Sequence, residues 1–117
     1  MDEGYIKFNC RWIKTAPFSK HKIAEINAWR DRLYKHGLIG SYSNGIGFGN
    51  ISIRTDINSF LITGSATGNL KKLNENHYVQ VNEYDFLQNS LTCSGPIKAS
   101  SESLSHAVIH IHNMNRM

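Results

Sequence analysis

The sequence predicts a mixed α/β domain in which helices pack on a largely antiparallel sheet, and three observations carry that expectation. A stretch near the N-terminus has apolar residues at helical spacing. The middle of the chain holds four or so short strand-like segments parted by turn residues, and a second helix starts near Ser101. With 117 residues, 40% of them hydrophobic, the chain suits a single domain, residues 1–117, with a real core.

Residues 4–17 mix apolar and basic side chains and read as an extended arm that Pro17 ends. Ser19 is a good N-cap for the first helix. Ile23, Ile26, Trp29 and Leu33, flanked by Ala24 and Tyr34, form its apolar stripe, and Gly37 accepts the left-handed conformation that closes it. Residues 40–49 are rich in Gly, Ser and Asn. They lead into Asn50-Ile51-Ser52-Ile53-Arg54, whose alternation reads as a half-buried strand, and Phe60-Leu61-Ile62-Thr63 reads as a more buried one. Gly64-Ser65-Ala66-Thr67-Gly68-Asn69 is a second loop of small residues. Both loops read either as plain turns or as backbone that approaches an anion closely. A polar connection over residues 70–76 precedes strand material at 78–81, 84–87 and 91–93, and Gly95-Pro96 makes a turn.

Charge and composition exclude several function classes. The net charge of +4 and pI near 9.2 favour an anionic partner, yet Lys20, Lys22, Arg30, Arg32, Lys35, Lys71 and Lys72 are scattered without interleaved aromatics. They read as a solvated face, so a small anionic molecule is expected rather than nucleic acid. No apolar run approaches the roughly 20 residues of a membrane span, and the start Met1-Asp2-Glu3 is acidic where a signal peptide is basic; a cytoplasmic protein is expected. Cys10 and Cys93 read as reduced, structural thiols rather than nucleophiles.

The densest chemistry lies in Ser100-Ser101-Glu102-Ser103-Leu104-Ser105-His106-Ala107-Val108-Ile109-His110-Ile111-His112. Val108-Ile109 before His110-x-His112 has the look of a strand, in which residues i and i+2 leave the same face. Both imidazoles would then reach one Zn²⁺, with Glu102 as a third ligand or as a base. The alternative is a pair of surface histidines on an edge strand.

Gly49-Asn50-Ile51-Ser52-Ile53-Arg54, Phe60-Leu61-Ile62-Thr63 with Thr67-Gly68, Ser100-Ser101-Glu102 with His106, and Val108-Ile109-His110-Ile111-His112 together resemble the class II aldolase and adducin family. The order of the motifs matches as well, across residues 33–112. This resemblance implies a three-layer α/β/α domain with a mostly antiparallel central sheet that makes or breaks carbon–carbon bonds in small sugar phosphates with zinc. It further implies that Gly49, Asn50, Thr67, Gly68, Ser100 and Ser101 line a phosphate site, that His110 and His112 ligate zinc, and that Glu102 is the acid/base residue. A homo-oligomer is implied too.

Two departures accompany the likeness. A helix and loop usually separate the family's Ser-Ser-Glu segment from its His-x-His strand, whereas Ala107 here runs almost directly into Val108; an alternative alignment continues the helix through His110. The family's third zinc histidine and C-terminal tyrosine lie beyond Met117, so a truncated domain is expected. Three functions follow: a zinc lyase acting on a phosphorylated keto sugar, a related dehydratase or epimerase, or an adducin-like module without catalysis.

Overall fold

A computed structural model describes residues 8–115, with side chains through residue 111. The N-terminal arm becomes β1, Asn9–Lys14. Next comes α1, Lys20–Lys35, whose N-cap Ser19 accepts a hydrogen bond from the Lys22 amide at 3.1 Å. Arg32 and Lys35 in its last turn complement the carbonyl end of the helix, and Gly37 follows at φ 75°, as its place after the helix requires.

The glycine-rich stretch folds into a small hairpin of β2, Gly40–Ser41, and β3, Gly47–Phe48. β4, Ser52–Asp56, and β5, Ser59–Thr63, pair antiparallel. The two strands expected at 78–81 and 84–87 are one, β6, Tyr78–Asp85. An irregularity between Val81 and Glu83 absorbs the break in alternation, and Phe86 and Leu87 fall in the turn beyond. β7, Ser90–Gly95, completes a five-stranded sheet of order β1-β7-β6-β5-β4, in which β1 alone runs parallel to its neighbour. This pairing also brings the two distant cysteines together: their sulfurs lie 3.2 Å apart as free thiols, and burial pushes the Cys93 thiol up to about 12.

Alternate side chains of β5 and β6 leave opposite faces of the sheet, and each face has its own cluster. Phe60, Ile62, Val79 and Val81 join Leu91, Cys93 and, from the C-terminal helix, Ala107. Leu61 and Tyr78 join Leu73 and, from α1, Ile23 and Ile26. The fold is thus mixed α/β, with one helix contributing to each cluster.

Two sequence expectations are overturned. Residues 108–112 are not a strand but lie within α2, Ser103–Asn115. Five residues of alternating apolar character do not distinguish helix from strand by themselves. Here the helix is already running from Ser103, and no Gly or Pro stands before Asn115 to stop it. Its burial follows the helical period, with Ser103 and Ala107 inside and Ser105, Val108 and Ile109 outside. The second correction is on α1. Trp29 of the expected apolar stripe is 49% exposed beneath the guanidinium of Arg32, while Arg30, expected on a solvated face, is 0% exposed.

Candidate functional site

Three segments far apart in the sequence meet at a cavity of about 420 Å³. The first is the turn between β3 and β4. Gly49 sits there at φ 93°, and a Cβ would come within 2.9 Å of the Leu38 carbonyl and of Ile39, so both conformation and space demand glycine. Asn50 follows, its carboxamide oxygen accepting from the Thr63 hydroxyl at 3.0 Å while that hydroxyl accepts from the Ile51 amide at 3.1 Å. The side-chain oxygen of Asn50 is therefore committed to β5, and its amide group is the donor end.

The second segment is the loop after β5. Thr67 is buried and donates its hydroxyl to the Gly64 carbonyl at 2.9 Å. Gly68 presses against the Phe48 backbone, where a Cβ would meet the carbonyl oxygen at 2.6 Å. Ala66 holds φ 59°, a left-handed conformation that costs a non-glycine residue on the order of 1 kcal/mol or more and that clusters at ligand sites. Arg30 secures this loop from behind. One Nη donates to the carbonyls of Thr67 at 3.0 Å and Gly68 at 3.4 Å, the other to that of Lys71 at 3.2 Å, and the ring of Tyr34 lies 4.8 Å from the guanidinium carbon. Burial lowers the arginine's pKa from its ordinary value, yet a guanidinium keeps its proton at any physiological pH.

The third segment leads into α2. Ser100 and Glu102 line the cavity, and the Ser100 hydroxyl is buried without a hydrogen-bond partner. Such an atom costs about 1–3 kcal/mol unless something else satisfies it. Glu102 is exposed at the cavity rim. One turn later His106 also lines the cavity, its Nδ1 2.6 Å from the Ser52 hydroxyl, and one turn after that His110 reaches the same hydroxyl through Nε2 at 2.9 Å. The His110 ring also packs on Phe60, with centroids 5.0 Å apart. A serine hydroxyl carries one proton, so one ring nitrogen accepts from Ser52 while the other donates to it. Burial lowers both histidine pKa values; Glu102 opposes the shift at His106, and at His110 the neighbouring His106 and Arg54 add to it.

Of the residues expected at a site, Gly49, Asn50, Thr67, Gly68, Ser100 and Glu102 share this cavity. Ser101 is exposed, and neither it nor His110 is among the lining residues. The side chain of His112 lies outside the described residues. The backbone over residues 108–112 is helical, so the strand on which the shared face of His110 and His112 was expected is not there. Glu102 lies just ahead of α2 and His110 two turns into it, a rise of about 10 Å along the helix from Ser103. Among the described residues no group of three or more His, Cys, Asp or Glu side chains converges as metal ligands. The cavity wall itself offers one carboxylate and one imidazole already engaged with Ser52, so the described residues alone do not make a fitting ligand set for the zinc implied by the family likeness.

Sequence reading also passed over part of the wall. Tyr42 and Phe48, whose rings lie 4.7 Å apart, project into the cavity from the hairpin, and nothing in a Gly-Ser-Asn-rich stretch marks them as a wall. His106, named among the family-like motifs without a role, stands four residues after Glu102, a spacing that on a helix means the same face.

The family model described as "Class II Aldolase and Adducin N-terminal domain" matches residues 24–116. Neither the curated proteins nor the solved structures hold a match to this chain. The family match takes in most of α1, the β2–β3 hairpin, strands β4 to β7, the cavity and α2 together, and the chain belongs to the class II aldolase and adducin family.

Proposed function

We propose that the cavity binds a small phosphorylated compound and that Glu102 acts there as the acid/base residue of a lyase-type reaction on a sugar or keto phosphate. The observation that carries this reading is the convergence of the Gly49-Asn50, Thr67-Gly68 and Ser100 segments on one cavity, with a buried Ser100 hydroxyl that has no protein partner. Backbone amides of small residues, the Asn50 amide group and serine and threonine hydroxyls are the donors that a tetrahedral oxyanion takes. Glu102 stands at the rim, where it meets the part of the ligand beyond its phosphate, and a carboxylate so placed can take a proton from carbon or oxygen. A three-layer arrangement of the family kind is supported by α1 and α2 contributing to clusters on opposite sheet faces.

Zinc would supply carbonyl polarisation in such a reaction. The described residues give it no ligand set, so the roles assigned to Asn50, Thr67, Ser100 and Glu102 do not pass through it. That same donor set favours a second reading, an adducin-like module that binds an anionic ligand without turning it over. A related dehydratase or epimerase would use the same carboxylate.

Calorimetric titration with a three-carbon keto phosphate, followed by assays for aldehyde release with and without added zinc, separates these readings. Saturable binding that weakens about tenfold in Asn50→Ala and Ser100→Ala is expected, on the loss of one charge-assisted hydrogen bond each. Glu102→Gln should keep binding and lose turnover. Binding without turnover under any metal leaves the non-catalytic module, and absence of binding removes both readings.

A further inference from the structure

We propose that Arg30 is a positioning residue for anion binding: from the far side of the 64–69 loop it turns the peptide groups after Thr67 and Gly68 so that their amide ends face the cavity. The inference rests on the reading of this cavity as an oxyanion site. Its own foundation is geometric. The guanidinium is fully buried, and its two terminal nitrogens hold the carbonyl oxygens of Thr67, Gly68 and Lys71 at 3.0, 3.4 and 3.2 Å.

In a trans peptide the C=O and the N–H of the next residue point in opposite directions. Fixing the Gly68 carbonyl on Arg30, and the Thr67 carbonyl on Arg30 together with the Leu70 amide at 3.1 Å, therefore turns the Gly68 and Asn69 amides away from the guanidinium, toward the side on which Thr67 and Gly68 line the cavity. Three carbonyls on one cation also hold the left-handed Ala66 in place, which local backbone preference alone does not. A charge that does not titrate near neutrality thus stands behind the loop, and its field adds to the amide dipoles that face an anion. Lysine offers a compact ammonium with no planar fork and does not span three carbonyls in this way.

The test uses inorganic phosphate as the probe and the whole chain in three forms: wild type, Arg30→Lys and Arg30→Gln. Phosphate titrated into the wild type is expected to move the amide resonances of Gly68 and Asn69 along a saturable curve. In either variant that keeps a cooperative thermal transition, the same two resonances should be displaced before any phosphate is added, and affinity should fall about tenfold or more. A folded variant with wild-type affinity and unmoved Gly68 and Asn69 amides overturns the inference and leaves the oxyanion site standing. A wild type that does not bind phosphate removes the site and this role together.

Should neither variant fold, the wild type still decides the matter through the terminal guanidinium protons of Arg30. Separate, slowly exchanging signals that shift in step with phosphate occupancy support the role. A single averaged signal, indifferent to phosphate, overturns it.

Discussion

The two helices each turn an ionisable side chain inward, and they solve the resulting problem in different ways. On α1, Arg30 brings a permanent charge into the interior and its two terminal nitrogens meet three backbone carbonyls, while its Nε has no hydrogen-bond partner. On α2, His106 and His110 share a single hydroxyl and are held toward the neutral form by burial. A cation that never loses its proton suits a fixed scaffold, whereas imidazoles leave the wall of the cavity sensitive to pH.

Removing the arginine should have the largest effect. Arg30→Met takes away three hydrogen bonds from a charged group; the Thr67 carbonyl keeps the Leu70 amide at 3.1 Å, while the buried Gly68 carbonyl loses its donor, and a loss of about 2–3 kcal/mol is expected by urea denaturation. A loss under about 1 kcal/mol would show that water takes over the carbonyls and that the contrast with α2 is false. Ser52→Ala should come next, at about 1–2 kcal/mol, because the ring nitrogens of two half-buried histidines lose their shared partner. An unchanged urea midpoint for Ser52→Ala would mean that the imidazoles find other partners.

The pH dependence sharpens the comparison. With folded-state values lowered below the ordinary histidine value of about 6.5, the unfolded chain binds more protons than the folded one between those two limits. Stability therefore rises with pH through that window, and acidification from about pH 7.5 to about pH 5 should lower the unfolding free energy. The double variant His106→Gln/His110→Gln should flatten most of this slope. Some slope should persist because His77 is lowered too, by burial and then by Arg30. An equally steep slope in the double variant would assign the effect elsewhere. The smallest effect on stability belongs to Glu102→Gln, within about 0.5 kcal/mol as expected of an exposed side chain. A cost near that of Ser52→Ala would place the carboxylate in the structural network with His106 rather than at the rim.

Much of the molecule was legible in the residues themselves. Ser19 and Gly37 bracket α1 because capping is local chemistry, and the antiparallel strands announced themselves by alternation and small-residue turns. The loops that carry Gly49 and Thr67-Gly68 read as anion cradles or turns, Ser100 joined them only through the family likeness, and long-range packing carries all three to one place. The choice between Trp29 and Arg30 was not legible. Helical spacing allows either residue to point inward, and the three carbonyls that reward burying the arginine belong to residues some 40 positions away. For the same reason the run at 108–112 was misread, since its helical state follows from Ala107 seating against the sheet rather than from the five residues. Tyr42 and Phe48 escaped notice because a two-residue strand pair gives no periodic signal.

The parallel neighbour of β7 carries a consequence for biogenesis. Trp12 donates its indole proton to the Gly95 carbonyl, 83 positions further along the chain, so β1 finds its place only after nearly the whole domain has left the ribosome. At about 5–20 residues per second that is a wait of several seconds or more with a strand of mixed apolar and basic residues unpaired. During translation the newest strand, β7, exposes the edge at which the oldest one must dock, and nascent chains are then most open to capture by a chaperone or by one another.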